Sequence, residues 1–362
     1  MSFSLKDHIY NPTYVQQLAD TLGQTIPNFP KADFLKTSLN ENWPQLELKD
    51  RMRHLSKQIA VHIGLPYLES LPYLKECIKH LEDASFGNLI FPDYVEREGI
   101  DYYAESMDAL QYFTRFGSSE FAVRPFIVRY PKESMAQLLI WSQDENHHVR
   151  RLASEGCRPR LPWAMALPAF KKDPTPILPI LEALKADSED YVYRSVANNL
   201  NDISKDHPEL VLDIAEKWLG KTEQTDWLVK HALRTLLKKG EERAMRLFGY
   251  GDPTEISIDN FVCPQSVQIG DQLNFSFVLV NSSPGSIKLR VEYAVEYLKK
   301  RGTYTRKVFK ITEKDFPKGG SSIMRKQWFK DFSTRTHHPG THSLSLLVNG
   351  IEKDKVSFEV LA

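Results

Sequence analysis

Apolar residues recur every three to four positions through the first two thirds of the chain, as in Leu48, Met52, Leu55, Ile59 and Ile63, with polar residues between them. That period belongs to helices that bury one face. Proline and glycine interrupt it often, which predicts a succession of helices of about ten to fifteen residues joined by brief turns. Past Gly249-Tyr250-Gly251-Asp252-Pro253 the period changes. Leu273, Phe275, Phe277 and Leu279 alternate with Asn274, Ser276, Val278 and Val280, and Val356, Phe358 and Val360 repeat the pattern, which is the spacing of half-buried strands. Turn signals at Ser283-Pro284-Gly285, Lys318-Gly319-Gly320, His338-Pro339-Gly340 and Asn349-Gly350 divide this part into about seven short strands.

The helical part carries a repeat. From Glu145 the helices pair, and the first of each pair opens on a polar turn followed by Val-x-Arg or its relative: Asn146-His147-His148-Val149-Arg150-Arg151, Asp190-Tyr191-Val192-Tyr193-Arg194 and Asp226-Trp227-Leu228-Val229-Lys230-His231. Anchored on Val149, Val192 and Val229, the steps are 43 and 37 residues, the range of two-helix HEAT-type repeats. Second helices are expected over Glu133–Gln143, Pro176–Ala186, Pro208–Leu219 and about Glu241–Phe248. An earlier pair opens at Ser119-Glu120-Phe121-Ala122-Val123-Arg124, only 26 residues ahead of Val149, so the solenoid is irregular there. The fold class read from this is a HEAT-like α-helical solenoid over 1–250 followed by an immunoglobulin-like β-sandwich over 255–362. The plainer alternative for the first part is an irregular bundle of amphipathic helices.

Composition narrows the function. Lys plus Arg and Asp plus Glu each number 47, so bulk charge gives no pull on a polyanion, and a nucleic-acid site would need local segregation of charge. No apolar run approaches the roughly eighteen residues of a membrane span. The opening Met-Ser-Phe-Ser-Leu-Lys-Asp-His lacks the layout of a secretion signal, which leads to the expectation of a cytoplasmic protein. Cys77, Cys157 and Cys263 have neither zinc nor redox spacing. No phosphate-binding glycine loop, serine nucleophile elbow or zinc-deaminase signature occurs, and neither a metal nor a cofactor is expected.

Three segments are familiar: Arg150-Arg151-Leu152-Ala153-Ser154-Glu155-Gly156-Cys157-Arg158-Pro159-Arg160-Leu161-Pro162-Trp163, Val192-Tyr193-Arg194-Ser195-Val196-Ala197-Asn198-Asn199-Leu200-Asn201-Asp202-Ile203-Ser204-Lys205, and Lys230-His231-Ala232-Leu233-Arg234. Together they resemble the DNA alkylation repair proteins of the AlkD superfamily, and the all-β tail makes the chain similar to the AlkC branch over nearly its whole length. The resemblance implies a monofunctional base-excision glycosylase for cationic N3-alkylated bases in duplex DNA, 3-methyladenine first and 3-methylcytosine as a further candidate. It also implies excision without base extrusion, whereas chemistry on a base ordinarily requires flipping it out of the stack. Double-stranded DNA is then the partner, with no membrane and no obligate protein partner.

Such a base is already a good leaving group, so the protein's task is to stabilise an oxocarbenium-like sugar and place a water, which carboxylates do. Glu155 lies six residues after Val149 and Asp202 ten after Val192. On equivalent helices they fall within about 40° of each other and about 6 Å apart along the axis, so both can face one cleft. Asp202 also opposes the dipole of its helix end, although a plain C-terminal turn residue would look the same. Glu120 reads from its residues as an ordinary acid in a helix's first turn; the resemblance makes it a third catalytic candidate. Neutral replacement of Glu155 or Asp202 is expected to cost rate while leaving folding nearly intact.

Arg158 and Arg160 sit on a segment stiffened by Pro159 and Pro162, which suits phosphate contacts. Trp163 suits stacking on a base or sugar, although a lone tryptophan after a helix is more often part of the core. Arg151, Arg194, Asn198 and Asn199, inside the matching strings, are assigned to DNA binding with them. Lys230, Arg234 and Lys238 give one helix a cationic face that suits a phosphate backbone, or simply water. In the sandwich, the resemblance sets the turn from Ser333 to His342 against the minor groove, with Arg335, His337 and His338 as contacts. A competing reading from another class is a helical-repeat scaffold that binds protein or DNA and catalyses nothing.

Overall fold

The computed structural model describes residues 4–81, 86–331 and 336–362. Contacts divide the chain into two compact units, Met1–His207 with Trp218–Ala232, and Pro208–Lys217 with Leu233–Ala362.

The first unit is helical. It opens with α1 (Leu5–Ile9), α2 (Pro12–Thr25), α3 (Lys31–Ser38), α4 (Leu48–His62), α5 (Tyr67–Cys77), α6 (Ile90–Glu98) and α7 (Tyr103–Phe113). Local chemistry sets these ends: Asn11 accepts from the Tyr14 amide and Pro12 takes the first turn of α2. The repeats follow as α8 (Val123–Arg129), α9 (Pro131–Trp141), α10 (His147–Gly156), α11 (Pro168–Lys172), α12 (Leu178–Leu184) and α13 (Asp190–Ile203); α14 (Pro208–Trp218) belongs, all but its last residue, to the second unit, and α15 (Glu223–Ala232) returns to the first. First helices stack side by side, α10 on α13 and α13 on α15, while α9 and α12 pack behind them, as a solenoid requires. Their faces are apolar where they meet: Val149, Leu152, Val192, Val196, Leu200, Leu228 and Val229 are buried. The short step from Val123 to Val149 is accommodated because α8 is only seven residues long and α9 starts at once on Pro131. Pro176 lies in a 3-10 turn, Thr175–Ile177, so the expected second helix there begins two residues late, at Leu178.

In the second unit, α16 (Arg234–Lys239) and α17 (Glu242–Leu247) are separated by Gly240, whose φ of 72° takes the left-handed cap conformation. The strands are β1 (Ile256–Val262), β2 (Ser266–Gln268), β3 (Gln272–Asn281), β4 (Ile287–Leu298), β5 (Tyr304–Phe316), β6 (Gly319–Trp328), β7 (Gly340–Val348) and β8 (Ile351–Leu361). They form two sheets, β1-β3-β6 and β2-β8-β7-β4-β5, antiparallel except for β2 beside β8. Leu273, Phe275, Phe277 and Leu279 all point into the sandwich core, opposite Val291, Val295, Leu344, Leu346 and Phe358. Asn349 and Gly350, at φ 49° and 77°, form the two-residue turn between β7 and β8 that their sequence announces.

Candidate active site

Glu155 and Asp202 occupy the last turns of α10 and α13, and the packing of those helices brings both onto one guanidinium. Arg158 donates from Nη1 to Glu155 Oε1 at 2.6 Å and from Nε to Asp202 Oδ2 at 2.9 Å. Lys205 reaches the other Asp202 oxygen at 3.0 Å. The second Glu155 oxygen accepts from Ser195 Oγ at 2.7 Å, and Ser154 Oγ donates in turn to Ser195 Oγ at 2.7 Å. Both carboxylates are deeply buried, at 4% and 2% exposure. The α10 backbone can come this close to α8 because residue 156 is glycine: a Cβ there would lie 2.7 Å from Val123 Cγ1.

Glu120 joins through a second arginine. Arg151 Nη1 donates to Glu120 Oε2 and, at 2.9 Å, to Ser118 Oγ, while Nη2 stands 3.4 Å from Glu155. The ring of Tyr191 covers this guanidinium at 4.6 Å. Burial works against the charge on Arg158 and Arg151, but the adjacent carboxylates outweigh it and hold both above the usual arginine range. Regular helix begins at Val123, so Glu120 lies in the turn ahead of α8 rather than in its first turn. The result is three carboxylates fixed by two guanidinium groups, a preorganised field with little freedom to reorient.

Other expected contacts fall in several places. Arg158 is buried between its acids, so it serves as their counter-ion and is not presented to a phosphate. Arg160 lies nearer solvent and forks onto Asp206 at 2.6 and 2.9 Å. Trp163 is not core: 62% of it is exposed. Arg194 is exposed, paired with Asp190 at 2.5 Å and stacked over Trp227 at 4.9 Å. Asn198 meets His231 at 3.2 Å. Asn199 is fully buried and donates to the Ser154 carbonyl at 2.8 Å, so it ties α13 to α10 instead of facing DNA. The cationic face expected on one helix is split, because the helix breaks at Leu233: Lys230 belongs to α15, and Arg234 and Lys238 to α16 in the other unit. His337 is also corrected. Its ring is buried, packed against Phe329 and Tyr297 at 5.2 and 5.6 Å with Nδ1 on Asp331, so it is turned into the sandwich and not toward solvent. His338 is half-buried, and Arg335 lies outside the described residues.

Sequence reasoning missed Ser118, Ser154, Ser195, Tyr191 and Trp227. The signal for the aromatics was in the repeat itself. Aligning Val149, Val192 and Leu228 stacks His148 with Tyr191 and Trp227, and Arg151 with Arg194 and Lys230. In two successive repeats the aromatic of the next helix caps the arginine of the one before. Anchoring on Val229 put this pattern out of register by one residue.

The family model for DNA alkylation repair enzymes matches residues 98–236, and the model for the C-terminal Ig-like domain of the uncharacterised protein YhaZ matches 257–362. Uncharacterized protein YhaZ of Bacillus subtilis (strain 168) is 46% identical over 354 residues, covering 97% of this chain and 98% of its own. A solved structure of the Pseudomonas fluorescens alkylpurine DNA glycosylase AlkC, bound to DNA containing an abasic site analog, superposes with a TM-score of 0.93 at 40% identity, covering 99% and 100% of the two chains. The chain belongs to the AlkC-like branch of the DNA alkylation repair family. Within this AlkC-like chain the alkylation-repair match spans all three clustered carboxylates and Trp163, while Lys238, His337 and His338 fall beyond it.

Proposed function

We propose that this protein is a monofunctional DNA glycosylase that hydrolyses the N-glycosidic bond of cationic N3-alkylated bases in duplex DNA. 3-Methyladenine is the expected first substrate and 3-methylcytosine the second. The observation that carries this reading is the rigid Glu120–Arg151–Glu155–Arg158–Asp202 cluster. The glycosidic bond breaks with its electron pair passing to the base, which leaves neutral, and the positive charge passes to the sugar. Carboxylates held in place stabilise that charge without reorganising. A water then adds its oxygen to C1′ and releases a proton to a carboxylate or to solvent. Duplex DNA as partner is supported by the AlkC relative, whose abasic analog corresponds to the product of such a reaction.

Excision without extrusion of the base is what the AlkC-type resemblance implies for this chain. The test is to incubate the protein with N-methylated duplex DNA and analyse the freed bases and the strands. Release of 3-methyladenine with intact strands, undiminished by a chelator and without a borohydride-trapped adduct, is the expected result. Strand cleavage or a trapped adduct would make the enzyme a lyase, and no released base would remove the reading.

A further inference from the structure

Trp163 departs from two rules at once. Its φ of 63° lies in the left-handed region, which a bulky L-residue holds only when its surroundings impose it. Its indole, 62% exposed, gains little from burial in return. Something else must hold it, and two basic side chains from distant elements do so.

Lys49, on α4, donates from Nζ to the Trp163 carbonyl at 2.5 Å, and the same ammonium lies 4.7 Å from the centre of the Phe121 ring. Burial pushes its pKa down, as expected of an ammonium turned inward. Arg124, on α8, is fully buried and spans the base of the same loop, donating from Nη1 to the Gly156 carbonyl at 2.8 Å and from Nε to the Met165 carbonyl at 2.7 Å. Inside the loop, the Leu167 amide bonds to the Pro159 carbonyl at 3.1 Å. Phe86 meets the indole edge-on, with ring centres 6.4 Å apart. The loop is therefore tied at its root by Arg124 and near its tip by Lys49, with the aromatic face left to solvent.

We propose that Lys49 is a positioning residue whose bond to the Trp163 carbonyl fixes the indole as a stacking platform for the sugar or base at the damaged site of duplex DNA. The inference rests on the glycosylase reading for its substrate, but it makes a separate claim: Lys49 acts through Trp163 and not on a phosphate. A lysine spent on a backbone carbonyl and an aromatic face is not a counter-ion for DNA.

The experiment measures binding of the full chain to a duplex carrying a tetrahydrofuran abasic analogue, across a salt series, for wild type, Lys49→Met, Lys49→Arg, Trp163→Ala and the Lys49→Met/Trp163→Ala double variant. Lys49→Met and Trp163→Ala should each weaken binding about tenfold, the scale of one lost stacking contact. The double variant should bind no worse than Trp163→Ala, Lys49→Arg should recover most of the loss, and the salt slope of Lys49→Met should match wild type. Additive losses, a slope lowered by about one, or wild-type binding by Lys49→Met or Trp163→Ala would each overturn the proposal. Circular dichroism melts check folding, and Lys49→Gln replaces the methionine variant if that one unfolds. A wild type that binds the duplex with this coupling intact but frees no alkylated base overturns the glycosylase reading and leaves the Lys49–Trp163 inference standing.

Discussion

The two units each bury an arginine between two carboxylates, and they use the same chemistry to different ends. In the sandwich, Arg290 on β4 donates to Glu292 at 2.6 Å and to Glu313, its cross-strand partner on β5. Its backbone is bracketed by Asn349, which accepts from the Arg290 amide at 2.7 Å and donates its own amide to the Arg290 carbonyl at 2.8 Å. That triad pins strand register and a hairpin turn. In the helical unit, Arg158 sits between Glu155 and Asp202, but there the network continues through Arg151 and Glu120 to the partly exposed ring of Tyr191. A buried ion pair is weak evidence for either stability or function by itself. What separates the two is continuity with an accessible aromatic face.

The comparison breaks most decisively at the helical triad. Glu155→Gln and Asp202→Asn should each lower the single-turnover excision rate by about a hundredfold or more, since each removes a preorganised charge from the reacting sugar. Folding will not be left untouched, as the sequence alone suggested. Both acids are buried on Arg158, so neutralising one leaves that guanidinium half-compensated, at a cost of at most about 3–5 kcal/mol by urea denaturation. Wild-type rates in both variants would reduce this triad to the status of the one in the sandwich.

The matching change in the sandwich is Glu292→Gln. Glu292 is fully buried, and losing its charge beside Arg290 should destabilise the sandwich by about 3–5 kcal/mol. The excision rate per folded molecule should stay at the wild-type level. A hundredfold fall in rate with unchanged stability would mean that the two triads are not functionally distinct.

Much of this was legible because period and turn chemistry are local. The alternation from Leu273 to Leu279, the Asn349-Gly350 turn and the stacking of Val149 against the next repeat follow from residues a few positions apart or one repeat apart. The convergence of Glu155 and Asp202 was also legible, because equivalent helices in a repeat carry equivalent angles. What escaped depended on which partner a charged group would find. Arg158 and Arg160 stand two residues apart on one Pro-rich segment, yet the first is swallowed by Glu155 and Asp202 and the second meets Asp206 near solvent. His337 went astray in the same way: a polar turn in sequence became a ring packed between Phe329 and Tyr297. The break at Leu233 had no proline or glycine to announce it.

A smaller effect is expected at the contact that lets α10 approach α8. Gly156→Ala places a methyl group 2.7 Å from Val123 Cγ1, well inside ordinary contact, so the Val123 side chain or the two helices must shift. Overpacking of this kind costs about 1–3 kcal/mol. Because Glu155 is the neighbouring residue, excision should fall along with the melting temperature. Gly156→Ala with lowered stability and an unchanged rate would show that the carboxylate cluster tolerates displacement, against the demand for preorganisation.

The smallest effect belongs to Arg160, whose forked pair with Asp206 resembles the buried triads in geometry but lies partly in solvent, with about a third of its side chain exposed. Exposed pairs contribute about 0–1 kcal/mol, so Arg160→Ala should hardly move the midpoint of unfolding. If Arg160 nevertheless exchanges Asp206 for a phosphate when duplex DNA binds, the same variant should weaken binding and lower the magnitude of the salt slope by about one, because one fewer counterion is released. Asp206→Asn should then act in the opposite sense, freeing the guanidinium and tightening binding at low salt. An unchanged slope in Arg160→Ala would confine the role of Arg160 to holding its own loop, and the phosphate contacts would have to come from cations such as Arg194 that the fold leaves exposed.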